Sequence, residues 1–124
     1  MKYLIDTHVL IWWLTNDSRM SQEVRDILTY KPVFCSVVSL WEVTLKVHAG
    51  KIKVSDSFIT EAKGQGFAWL GVQVNHIEAL QHLPQFHKDP FDRLLIAQAQ
   101  VESLILITAD KYIQKYNVPI LRPF

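Results

Sequence analysis

The stretch HKDPFDRLLIAQA, residues 87–99, decides how the chain is read. Asp89 followed by Pro90 is a helix cap followed by a proline at the first helical position. Stepping about 100° per residue from Asp92 reaches the side that carries Leu95, Ile96 and Ala99. A carboxylate therefore stands at the N-terminal end of an apolar stripe and faces inward at the rim of the fold. Such a placement costs free energy unless something compensates it. A plainer explanation is that Asp92 occupies a first helical turn, where the helix dipole favours negative charge.

Outward from this helix the chain alternates short apolar strands with helices. Residues 2–5, KYLI, read as a strand that stops at Asp6, and THVLIWWLTND turns helical from Thr7. Met20, Val24, Ile27 and Leu28 have amphipathic helical spacing, closed by Pro32. VFCSVVS (33–39) reads as a second buried strand. A helix is expected from Ser39 to about Ala49, ended by Gly50, with Leu40, Val43 and Val47 toward the core. Trp41, Leu45 and His48 form a second, partly apolar face on it. A polar helix over 55–65 and a strand FAWLGVQV (67–74) follow, then a short helix over 75–84 ended by Pro84. LILIT (104–108) is a fourth buried strand, DKYIQKY a short helix, and residues 120–122 a last strand. This alternation predicts a single α/β domain over residues 1–124, with a central, mostly parallel sheet of four to five strands covered by helices on both faces.

Composition narrows the function. A chain of 124 residues is large enough to bury a core without staples. Thirteen basic against twelve acidic residues leave no strong positive field for holding long nucleic acid non-specifically, so any nucleic-acid recognition is local. The single cysteine, Cys35, cannot form an internal disulfide, and no secretory leader is evident, so a reducing cytoplasm is expected. No apolar run approaches the roughly 20 residues of a membrane span. Cys35 sits mid-strand and reads as core.

Chemistry in parallel sheets gathers at the carboxyl ends of the strands. Asp6 directly follows the first strand, and Asp110 directly follows the fourth. Glu42 is expected in the first turn after the second strand, and Asp92 in the first turn of the helix leading to the fourth. Each has a local alternative. Ser39 and Glu42 have capping-box spacing, Glu42 can pair with Lys46, Asp110 can cap its own helix, and Asp6 can accept from nearby amides. Together, four converging carboxylates repel, and helix dipoles offset only about 0.3–1 kcal/mol per charge. Either some stay protonated or a hard cation binds. Oxygen ligands favour Mg²⁺ or Mn²⁺ over zinc, and the histidines lack zinc-like spacing. His8, His82 and His87 read as surface, helix-end or loop residues. Thr7, Ser39 and Thr108 stand beside the acids, able to orient carboxylates or simply to cap. Arg93 and Lys46 can hold a phosphate or brace the acids.

With these residues in view, the chain resembles PIN-domain ribonucleases, specifically the VapC-type toxins of VapBC toxin–antitoxin modules. The resemblance rests on YLIDTHVLIW, SVVSLWEV, HKDPFDRLLIAQA and LILITAD, and it covers nearly the whole chain. It implies a metal-dependent endoribonuclease in which Asp6, Glu42, Asp92 and Asp110 hold one or two Mg²⁺ or Mn²⁺ ions, with Asp89 left as a cap. It also implies a homodimer and a small antitoxin lying over the active site. Trp12, Trp13 and Trp41 offer contact surface for either partner, or pack in the core. Two other readings stay open. A receiver-like phospho-acceptor domain normally carries paired acids after its first strand and an acceptor after its third, and neither is present. A non-catalytic α/β interaction module would use all four acids as caps and bind no metal.

Overall fold

In the computed structural model, which describes residues 1–124, the apolar runs become five strands. They are β1 (Tyr3–Ile5), β2 (Val33–Ser36), β3 (Ala68–Leu70), β4 (Ile105–Ile107) and β5 (Ile120–Leu121). The strands form one sheet in the order β3-β2-β1-β4-β5, and every neighbouring pair is parallel. Six helices connect them: α1 (Thr7–Leu14), α2 (Gln22–Tyr30), α3 (Val37–His48), α4 (Phe58–Lys63), α5 (Val74–Gln81) and α6 (Pro90–Glu102). The expected α/β architecture is what the chain adopts.

Strand alternation sorts the core into two layers. Tyr3, Ile5, Val33, Cys35 and Ile107 point to the face covered by Val9 and Leu10 of α1, Val24 and Leu28 of α2, and Phe58 and Ala62 of α4. Leu4 and Leu106 point to the other face, against Leu95, Ile96 and Ala99 of α6. α3 serves both layers, with Val43 in the first and Val38 in the second. Leu95 and Ile96 are fully buried, so the apolar stripe read from residues 87–99 is the face that α6 lays on the sheet. Each such side chain stabilises the fold by about 1.5–3 kcal/mol relative to exposure.

The strand order reverses between β1 and β4. Connections leaving the two strands at that point diverge and open a crevice at their carboxyl ends. Asp6 follows β1, Thr108 follows β4, and α6 starts at the same edge before running back toward β4.

Several expected boundaries move. β2 ends at Ser36, and Ser36 caps α3 by accepting from the Val38 amide at 3.1 Å. The helix begins earlier than expected, so Ser39 lies inside it and the Ser39–Glu42 capping box does not form. Glu42 falls in the second turn. β3 stops at Leu70, and Val74 opens α5. There Gln73 is the cap, with its amide donating to Nδ1 of His76 at 2.9 Å. The expected helix over DKYIQKY is a single 3-10 turn, Ile113–Lys115.

Candidate active site

Asp6 is placed by its own capping role. Its backbone is extended, and Oδ1 accepts from the Val9 amide at 2.8 Å, starting α1 where β1 stops. The residue is 3% exposed. Burial holds its carboxyl above the ordinary range; the Thr108 hydroxyl, the Val9 amide and His8 pull it down, and the Glu42 charge pushes it up.

Glu42 is 2% exposed. The Thr7 hydroxyl donates to its Oε1 at 2.6 Å and also lies 3.0 Å from Ser39 Oγ. Lys46, one turn along α3, donates to Oε2 at 2.5 Å. Both oxygens of this buried carboxylate are therefore engaged. The Glu42 hydrogen bond raises the Lys46 ammonium above its ordinary value, with the charges of Asp89 and Asp92 adding to it. Lys46 braces the acids rather than projecting freely.

Asp92 stands in the first turn of α6, as periodicity predicts. Its amide donates to Oδ1 of Asp89 at 2.9 Å, so Asp89 is the cap. Nε2 of His87 lies 2.8 Å from Asp92 Oδ2 and 3.4 Å from Asp110 Oδ2. Burial, chiefly, raises the Asp92 carboxyl to about 7; His87 opposes the rise, and the charges of Asp89, Asp6 and Asp110 add to it. Asp110 also caps locally. Its Oδ1 accepts from the amides of Tyr112 at 2.8 Å and Ile113 at 3.4 Å, while its own amide donates to Thr108 Oγ1 at 3.0 Å.

The four acids thus fall into two adjoining groups. Ligand atoms of His87, Asp92 and Asp110 all lie within 4.8 Å of one another. Asp6 and Glu42 stand outside that trio, linked to each other and, through Asp6, to Asp92 by charge. The expectation of one close cluster of four carboxylates is replaced by this divided arrangement.

His87 is the residue that sequence reading missed. It reads as a solvated loop residue, yet its side chain is only 13% exposed. The available signal was its position two residues before the Asp89 cap: a chain entering a helix there must pass the first turn, where Asp92 points. Arg93, expected as a phosphate holder or brace, turns away from the acids and holds this loop. It donates to the carbonyls of Pro84 at 2.8 Å, Leu83 at 3.2 Å and His87 at 3.3 Å. The Tyr116 hydroxyl completes the clamp, donating to Pro84 O at 2.7 Å and accepting from the His87 amide at 2.8 Å. Arg93→Ala strips several carbonyls of a charged donor. It is expected to cost roughly 2–3 kcal/mol in urea unfolding, with Arg93→Lys recovering only part because it lacks the planar fork. A loss below about 0.5 kcal/mol, the usual surface value, would show that the clamp carries no weight.

Elsewhere the readings hold. Cys35 is fully buried, and burial pushes its thiol up to about 12, which suits core and not a nucleophile. His82 is exposed at the end of α5. Trp12 packs beside Phe124 under the Arg19 guanidinium, which lies 4.3 Å from its ring centre. Trp41 is 56% exposed, with one edge against Phe91. No helix is long and apolar enough to cross a membrane.

Comparison with solved structures gives the same fold across the chain. VapBC2 from Rickettsia felis, bound to a DNA fragment from its promoter, superposes with a TM-score of 0.75 at 13% identity, covering 98% of each chain. DNA-bound VapBC from Salmonella typhimurium gives 0.73 at 16% identity, covering 100% of this chain and 99% of that one. VapBC-5 from Mycobacterium tuberculosis gives 0.62 at 16% identity, covering 98% and 96%. No curated protein matches the chain by sequence. The PIN domain family model matches residues 3–119, nearly the whole length, and the chain therefore belongs to the PIN domain family.

Proposed function

We propose that the protein is a divalent-metal-dependent endoribonuclease acting as the toxin of a VapBC-type module. One observation carries the reading. Buried and half-buried acids from four separated parts of the sequence gather near the strand reversal in two adjoining groups, and their burial and charges hold Asp6 and Asp92 above the ordinary carboxylate range. The carboxylate donors are anionic oxygens, which fits Mg²⁺ or Mn²⁺ held by Asp92 and Asp110, with Asp6 and Glu42 adjoining. Bound there, such an ion would supply a water of lowered pKa and would offset charge on a phosphodiester.

The chain's own residues supply the rest. Thr7 and Lys46 hold the two oxygens of Glu42 and aim its carboxylate. Thr108 orients Asp6 and Asp110. The Val9 amide holds the Asp6 carboxylate, and the Asp89 carboxylate holds the Asp92 amide. The near-neutral net charge leaves substrate selection to local contacts. A small antitoxin and a second copy of the chain suit the exposed apolar stripe on α3, where Val37, Trp41 and Leu45 follow one another at one-turn spacing. This stripe shares its helix with Glu42, so a partner seated there lies beside the acids.

The test is cleavage of an RNA pool by the purified protein, with ends mapped by sequencing. Cleavage is expected with Mg²⁺ or Mn²⁺, lost in EDTA and lost in Asp6→Asn. Equal cleavage with and without EDTA, or none under any metal, would defeat the reading.

A further inference from the structure

We infer that Nε2 of His87 is itself a metal ligand, so that the site holds a first-row transition ion, Mn²⁺ or a later one, in preference to Mg²⁺. This deepens the proposal above and rests on the site being a metal centre.

The geometry points there first. Ligands at right angles around an ion with bonds of about 2.1 Å lie about 3.0 Å apart. His87 Nε2 stands 2.8 Å from one Asp92 oxygen and 3.4 Å from one Asp110 oxygen, on either side of that spacing. One nitrogen and two carboxylate oxygens of these three half-buried residues lie within 4.8 Å of one another. The imidazole is also fixed from several directions. Its ring stacks on Tyr112, centres 5.2 Å apart and planes 15° from parallel. Its backbone amide donates to Tyr116, and its carbonyl accepts from Arg93. A histidine serving only as a surface ion pair needs no such restraint. A ligand does, because small displacements of a donor weaken a metal bond.

The consequence is selectivity. Mg²⁺ takes oxygen donors and demands near-ideal octahedral geometry. Imidazole nitrogen is a donor for first-row ions, and affinity rises from Mn²⁺ along the series. One nitrogen among oxygens therefore tilts the site away from Mg²⁺.

The alternative is that His87 merely pairs with Asp92 and must be displaced when an ion enters. The two roles have opposite signs. With Mn²⁺ as the probe, titration calorimetry of the wild type is expected to give at least about tenfold tighter binding than Mg²⁺. His87→Gln should weaken Mn²⁺ binding by roughly 10–100-fold and change Mg²⁺ binding little. Pulsed electron paramagnetic resonance of the Mn²⁺-loaded wild type should show coupling to a directly bound ¹⁴N nucleus. That coupling should vanish in His87→Gln and persist in His8→Gln. A thermal melt confirms that the variants are folded, and Tyr112→Ala, which removes only the stacking partner, should weaken the coupling without removing it. Mn²⁺ binding without nitrogen coupling, or tighter Mn²⁺ binding in His87→Gln, overturns the inference and leaves the metal-dependent reading standing. Failure of the wild type to bind any divalent ion overturns both.

Discussion

Asp92→Asn is expected to abolish RNA cleavage, lowering the rate by at least about a thousandfold, while the protein melts at the same temperature or a higher one. The loss should exceed the roughly 10–100-fold that follows when a residue merely supporting a ligand is removed. The side chain is nearly isosteric, so the first turn of α6 keeps its shape, and the Asp89 cap still accepts from the amide of residue 92. What disappears is one negative charge from a half-buried position where Asp89, Asp6 and Asp110 all oppose it. Removing a repelled charge does not destabilise a fold, whereas removing a ligand from a metal centre stops its chemistry. The combination separates function from folding, which a core substitution such as Leu95→Ala, expected to cost about 2–5 kcal/mol, cannot do. Asp89→Asn provides the control: asparagine caps as well as aspartate, so cleavage should stay within a few-fold of wild type. Rates from single-turnover cleavage and melting curves from circular dichroism decide the matter. Near wild-type cleavage by Asp92→Asn would remove Asp92 from the mechanism.

The inward orientation of Asp92 was legible because helix periodicity is a local property. Counting from Asp92 to Leu95, Ile96 and Ala99 needs nothing beyond the segment itself, and those three side chains are buried. The strand edges were not legible for the opposite reason. SVVS carries a serine at each end of two β-branched residues, and either serine can cap a helix. The choice is made outside the segment: β1 ends at Ile5, opposite Cys35, and β3 ends at Leu70, opposite Ser36. Val37 has no strand to pair with, so its amide finds a helix instead. The same limit ends β3 before Val72 and Val74, which read as strand from composition alone. His87 lay hidden for a third reason. A loop side chain has no period, and its contacts with Asp92 and Asp110 exist only once α6 and β4 have met. Arg93 is the reverse case. Its proximity in sequence to Asp92 suggested a shared role, but a neighbour on a helix points about 100° away.

Acidity gives the last expectation. Without divalent ions, the folded protein loses stability as pH rises from 5 to about 7 and levels off above that. The sign follows from the Asp92 carboxyl, raised from 3.8 in the unfolded chain to about 7 in the fold. Below 3.8 both states hold the proton and the group has no effect. Between the two values the unfolded chain has released its proton while the fold retains it, so each increment of pH favours unfolding. Above about 7 both states are ionised and the penalty is complete, on the order of 4 kcal/mol at most. Burial raises the Asp6 carboxyl in the same direction and steepens the fall. Asp17 acts the other way, held down to about 2 by its hydrogen bonds with Arg19, but its window lies below 3.8, and the pair is exposed. Starting at pH 5 keeps it out of the comparison. His87 shares a hydrogen bond with Asp92, so the series is repeated in His87→Gln. Asp92→Asn should flatten most of the slope. Saturating Mn²⁺ should reverse it, because the ion binds the ionised carboxylates and stabilises the fold by an amount that grows with their ionisation. Urea unfolding at half-unit intervals of pH reads all four curves. A flat profile in the metal-free wild type would mean that Asp92 ionises freely in the fold, and the burial and crowding of negative charge on which the metal centre is argued would be gone.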